Sequence, residues 1–132
     1  MTKDHTRHLF EKYPLLYRGA TKPITQSLMA FGFECGDGWF RLIDGLSEKL
    51  ERLNAEHPDS PTEAVQVKEK FASLRFYVDG ATDEAYKLID AAERESETTC
   101  ETCGKPGTVR GQGWIKCCCD ECWDGATDRP KR

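Results

Sequence analysis

Four cysteines constrain this chain more than any other feature. Cys100 and Cys103 form one C-x2-C pair, Cys119 and Cys122 form a second, and residues 104–118 separate them. Two thiolates on one tight turn, facing two more on another, match the tetrahedral sulfur site of a structural zinc ion. The second pair sits in the run "CCCDEC", so its register must be checked. Only Cys119 has a cysteine three positions on, because Cys117 leads to Asp120 and Cys118 to Glu121. The expected ligands are therefore Cys100, Cys103, Cys119 and Cys122, holding one Zn2+ with no open coordination position. A closed site of four thiolates is structural, not catalytic. Cys117 and Cys118 are expected on the strand that feeds the second knuckle, one packed inward and the other near the surface.

Zinc is preferred to disulfides because the chain reads as a cytoplasmic protein, and a reducing cytosol leaves clustered thiols free to bind metal. The amino terminus "MTKDHTRHLF" lacks the apolar stretch of a secretory signal, and no apolar run approaches the roughly 20 residues that a bilayer crossing requires. No membrane partner is expected. With 132 residues, 38% hydrophobic and 32% charged, the chain has material for one modest core and a small appendage.

Ahead of the cysteines the pattern alternates between helical and extended. Residues 4–12 read as a short helix ending before Pro14, and residues 23–34 as a short helical or irregular segment. In "GDGWFRLIDGLSEKLERLNAEHP", Trp39, Phe40, Ile43, Leu46, Leu50 and Leu53 recur at three- and four-residue steps, so this stretch is an amphipathic helix with Asp37 as its N-cap. Gly45 inside it suggests close packing against a neighbour. "AVQVKEKFASLRFYVDG" changes to alternation and predicts a hairpin turning near Ala72 and Ser73. Val65, Val67, Phe71, Leu74, Phe76 and Val78 are assigned to its inner face, and Lys68, Lys70, Arg75 and Tyr77 to its outer one. A further helix over residues 83–97 is capped by Thr82 and points Ala85, Tyr86, Ile89 and Ala92 inward. The expected fold class is α+β: a small helix–hairpin–helix body over residues 1–97, zinc-ribbon-like knuckles over 98–125, and a flexible tail over 126–132.

The segments "FGFECGDGWFRLIDGL" (residues 31–46) and "VKEKFASLRFYVDG" (residues 67–80), with the "CETCG…CDEC" tail, resemble those of a family of small bacteriophage and prophage proteins. The resemblance implies a phage-type origin, and with it the cytoplasm of a host. It carries no activity and no site residue with it.

Catalytic constellations are thin. Cys35 stands beside Glu34 and Asp37 at a helix start, where the helix dipole favours a thiolate, but His5, His8 and His57 form no motif with it, so it reads as a small buried residue. His5 and His8 share a helical face but supply too few ligands for a second metal. Asp37 and Asp44 are better placed as cap and surface residue than as an acid–base pair, and no catalytic residue is assigned. The net charge of −4 argues against a protein that coats duplex DNA by charge alone. Two candidate binding surfaces remain. One is the hairpin face of Lys68, Lys70, Arg75 and Tyr77, which combines cations with an aromatic ring; the other is the glycine-rich arm "VRGQGWIK", presenting Arg110 and Trp114. Two functions follow. The first is a non-enzymatic phage-type accessory protein that binds a host protein or other macromolecule, or a nucleotide ligand, such as a counter-defence protein sequestering a nucleotide immune signal. The alternative is a nucleic-acid-binding zinc-ribbon accessory factor.

Overall fold

A computed structural model describes residues 1–131. Helix α1 (Lys3–Lys12) starts at Thr2, whose hydroxyl accepts from the His5 amide, and stops at Tyr13 because Pro14 has no amide with which to continue. Two 3-10 turns, Arg18–Thr21 and Met29–Phe31, lead into strand β1 (Phe33–Glu34). A further 3-10 turn, Asp37–Trp39, runs directly into α2 (Phe40–Glu56), which buries Ile43, Leu46, Leu50 and Leu53 along one stripe. Strands β2 (Glu63–Lys70) and β3 (Ser73–Asp79) form the hairpin, and α3 (Asp83–Ser96), capped by the Thr82 hydroxyl, packs back across β3 and α2.

The helix–hairpin–helix body is corrected by the sheet. Strand β1 pairs parallel with β2, Phe33 opposite Val67 and Glu34 opposite Lys68, so the order is β1-β2-β3 and the sheet is mixed and three-stranded. With α1 packed beside α2, the described residues make an α+β fold of three helices and three small sheets, of which only the three-stranded one lies in the body. A two-residue strand has too few positions to show alternation, which hides β1 in the sequence. Its core gathers Leu9, Leu16, Met29, Trp39, Ile43, Leu50, Val67 and Leu74, all fully buried.

The hairpin turns one residue earlier than expected. Lys70 pairs with Ser73, and the two turn residues, Phe71 and Ala72, have φ of +53° and +64°, the left-handed sense that a tight primed turn needs. Phe71 is consequently 67% exposed instead of facing inward. A register shift between Ala64 and Gln66 bulges Val65 out of the ladder, and its carbonyl accepts from the Leu28 amide at 2.8 Å. Beyond the bulge, Val67, Leu74 and Phe76 face the core. Lys68 stands directly opposite Arg75, and Gln66 opposite Tyr77, on the other face.

Three further expectations change. Asp37 does not cap α2; its carboxylate accepts from the Thr2 amide at 2.8 Å and lies 3.0 Å from His5 Nδ1, tying α1 to the start of α2. A Cβ built on Gly45 meets nothing within 4 Å, so no neighbour presses on that glycine. Tyr86 is half exposed, and the inward stripe of α3 is Ala85, Ile89, Ala92 and Ser96.

After α3 the chain forms two small antiparallel ladders. Strand β4 (Thr108–Arg110) pairs with β5 (Lys116–Cys118), and β6 (Trp123–Asp124) with β7 (Arg129–Pro130). Beyond Trp123, where fraying is expected from sequence, the Lys131 amide donates to the Cys122 carbonyl at 2.8 Å. Among the described residues no helix is long and apolar enough to cross a membrane.

Candidate metal centre and binding face

The sulfurs of Cys100, Cys103, Cys119 and Cys122 all lie within 4.8 Å of one another, with Cys103 Sγ 3.6 Å from Cys119 Sγ. A tetrahedral zinc with Zn–S bonds of about 2.3 Å needs sulfurs about 3.8 Å apart. The four cysteines could therefore hold a metal ion, and the geometry and the all-thiolate donor set are consistent with zinc. The local backbone makes the cluster. Gly104, at φ +84°, turns its amide onto the Cys100 carbonyl at 2.9 Å, and the Cys100 amide donates to the Lys105 carbonyl at 2.7 Å. Burial opposes ionisation of Cys100, but the backbone amides of Cys119, Cys103 and Thr102 outweigh it and bring that thiol down to about 6. Trp123 and Cys118 pack in one buried cluster with Cys100 and Cys119.

Cys117 and Cys118 are both buried, so the expectation of a spare surface thiol does not hold. Cys117 Sγ donates to the Glu97 carbonyl at 3.3 Å. Burial, together with the nearby Cys100 charge, pushes both thiols up to about 11. They pack inside on β5, outside the group of four sulfurs.

The first knuckle is pressed onto the body at the "CGDGW" turn. The Gly38 amide donates to the Glu101 carbonyl at 2.8 Å, the Gly36 amide to Glu101 Oε2 at 2.9 Å, and the Trp39 indole N–H to the Thr99 carbonyl at 2.9 Å. A Cβ on Gly38 would lie 2.2 Å from the Cys100 carbonyl oxygen, and one on Gly36 would lie 2.3 Å from that of Glu101. Those glycines are explained by the approach of the knuckle backbone.

A buried ion cluster joins the same knuckle to the hairpin. Lys116 Nζ lies 2.8 Å from Glu69 Oε1 and 3.7 Å from Glu101 Oε1, and Glu69 Oε2 accepts from the Ala72 amide in the hairpin turn at 2.9 Å. Burial raises the Glu101 carboxyl above its ordinary value, with the Gly36 amide and the Lys116 charge offsetting part of the rise. Nothing in the sequence marks this triad, since residues 69, 101 and 116 each read as surface charge.

The residues weighed for catalysis do not converge. Cys35 belongs to the main core, and burial, then the charge of Glu101, pushes its thiol up to about 12, so it is protonated at neutral pH. His5 pairs with Asp37 and stacks on Phe40 with ring centroids 3.9 Å apart. His8 lies instead 3.8 Å from Asp44, so the two histidines are held by different carboxylates.

On the outer hairpin face, Lys68, Lys70, Arg75 and Tyr77 share one surface, and among the described residues none of the three cations has a carboxylate within 4 Å. Lys68 and Tyr77 also border a groove of about 540 Å3 whose far wall is the segment Ile24–Leu28. Of the two ribbon candidates, Arg110 is turned inward: its Nε donates to the Cys118 carbonyl at 3.0 Å and its guanidinium pairs with Asp120. Trp114 remains 61% exposed, with Lys116 Nζ 5.6 Å from its ring centroid. No protein-family model, no curated protein and no solved structure matches this chain.

Proposed function

We propose that this chain is a non-enzymatic binding protein, built around one structural zinc on Cys100, Cys103, Cys119 and Cys122, that takes a nucleotide ligand on the outer face of its hairpin. The observation that carries the reading is the cation row. Lys68 and Arg75 sit directly opposite each other, an arrangement that like charges disfavour by a few tenths of a kcal/mol, and although Glu34 is the neighbour of Lys68 on β1, neither cation forms an ion pair among the described residues. A phosphate between them would relieve the repulsion. Tyr77, 42% exposed beside Gln66, offers a ring face to a base at the edge of the groove. The resemblance to small phage proteins supports a binder that acts in an infected host, and sequestering a nucleotide immune signal is the counter-defence role we propose for it. The zinc serves only to hold the carboxy-terminal knuckles, because four thiolates leave no site for substrate.

Nucleic-acid binding through the ribbon is the second reading, favoured by exposed Trp114 but weakened by Arg110, whose Nε and Nη2 already donate to the Cys118 carbonyl and Asp120. The test is direct. A ligand released by heat from purified protein is identified by mass spectrometry, and its affinity is measured for wild type and Arg75→Ala. Loss of a charge-assisted phosphate contact weakens binding by about tenfold or more while the melting temperature stays nearly constant. If Arg75→Ala destabilises the fold and leaves affinity untouched, the hairpin reading fails and Trp114 becomes the residue to change.

A further inference from the structure

The outer face has a second aromatic end that the mononucleotide-sized groove does not use. Phe71 is 67% exposed at the hairpin tip, and Lys70 Nζ lies 5.5 Å from its ring centroid, so the ring stands at the edge of the same cationic face. Its backbone is in the left-handed region at φ +53°, where asparagine or glycine is at ease and a bulky residue is strained. A large ring kept there contributes little to the core and adds cost to the turn. Strain maintained at an exposed ring is a mark of contact with something else.

From Tyr77 to Ser73, the partner of Lys70, the strand advances four residues, about 14 Å at a strand's rise. Along that length the order is aromatic, cation pair, cation, aromatic: Tyr77, then Lys68 with Arg75, then Lys70, then Phe71. We infer that the ligand of this face is a dinucleotide, two bases joined through phosphate, with one base on Tyr77 in the groove, the phosphate over Lys68 and Arg75, and the second base stacked on Phe71. The inference rests on the nucleotide reading and adds the second base to it. The groove end also carries the Gln26 amide, the Asp79 carboxylate and Gln66, whose Nε2 donates to Glu34 at 3.4 Å and whose carbonyl oxygen can meet a base edge, whereas the Phe71 end offers a bare face. Stacking there tolerates any base. The first base is selected and the second merely held.

Calorimetric titration of the full chain with a mononucleotide, a linear dinucleotide, a cyclic dinucleotide and a hexanucleotide tests this. One or both dinucleotides should bind about tenfold tighter than the mononucleotide, in line with one added stacking contact, and the tighter of the two identifies the source. The hexanucleotide should gain nothing more. Phe71→Asn should remove the dinucleotide advantage, leave mononucleotide affinity unchanged, and raise the melting temperature by about 2–4 °C, because asparagine relieves the left-handed position. Equal affinity for mono- and dinucleotide, still lost in Arg75→Ala, overturns the second base and leaves the nucleotide reading standing. Affinity that keeps rising with strand length overturns the dinucleotide in favour of a strand. Binding of none of the four overturns both.

Discussion

Replacing Lys116 by Met tests how firmly the metal knuckle and the hairpin are joined. Among the described residues Lys116 is the one cation paired with Glu69 and Glu101, and the three side chains are only 18%, 14% and 10% exposed. Methionine fills the space of the aliphatic stem but leaves two carboxylates facing each other with no counter-charge. Removing one partner of a buried pair costs about 3–5 kcal/mol, most of it the penalty of the stranded charge. For a chain of this length, that is a fall in melting temperature of about 11–18 °C. The cost should depend on pH. Glu101 already binds its proton more tightly folded than unfolded, so its contribution to stability is fully present in acid and is lost as pH rises through its raised folded value. Without Lys116 that value rises further, so the deficit of the variant should be small in acid and grow towards neutrality. Urea unfolding of both proteins in zinc-buffered solution across that range measures it, and Lys116→Met with Glu69→Gln should recover at least about 1 kcal/mol. A loss below about 1 kcal/mol, or one independent of pH, would show that the cluster behaves as an exposed ion pair, and the coupling of knuckle to hairpin would have to be abandoned.

Other substitutions separate metal from packing. Cys119→Ser should release the metal and unfold the knuckles, whereas Cys117→Ser should keep one zinc per chain by elemental analysis yet lose about 1–3 kcal/mol, since it places a hydroxyl in a fully buried position. Equal metal loss in both would show that the ligand register is wrong. Gly38→Ala drives a methyl against the Cys100 carbonyl oxygen and should destabilise by at least about 2 kcal/mol in thermal melts; a neutral result would mean that the knuckle does not seat on that turn. Gly45→Ala should do the reverse and stabilise by about 0.5–1 kcal/mol, because its Cβ enters open space on a helix.

What could be read from the sequence was whatever local spacing dictates. Two C-x2-C pairs pick out four cysteines that the structure brings together, and the three- and four-residue steps from Ile43 to Leu53 mark the buried stripe of α2. Contacts between distant segments left no such trace. Strand β1 is two residues long, and Phe71-Ala72 carries none of the usual chemistry of a primed turn. Gly36 and Gly38 look like ordinary turn residues until residues 99–101 are laid across them. The outer hairpin face followed from alternation alone, because the Val65 bulge lies ahead of Val67 and leaves the later register undisturbed.

The seating of residues 99–101 on the Gly36–Trp39 turn also sets an order of events during synthesis. Helix α2 is made some 60 residues before the segment that receives the Trp39 indole N–H and the Gly38 amide. A ribosome adding about 5–20 residues per second leaves that turn waiting for several seconds. Until Thr99 and Glu101 arrive, the turn before α2 has three donors, the Gly36 and Gly38 amides and the Trp39 indole N–H, without the partners they have in the fold. That turn is covered only once residues 99–101 have been made, and the four sulfurs that could hold a metal come together only after Cys122 follows them.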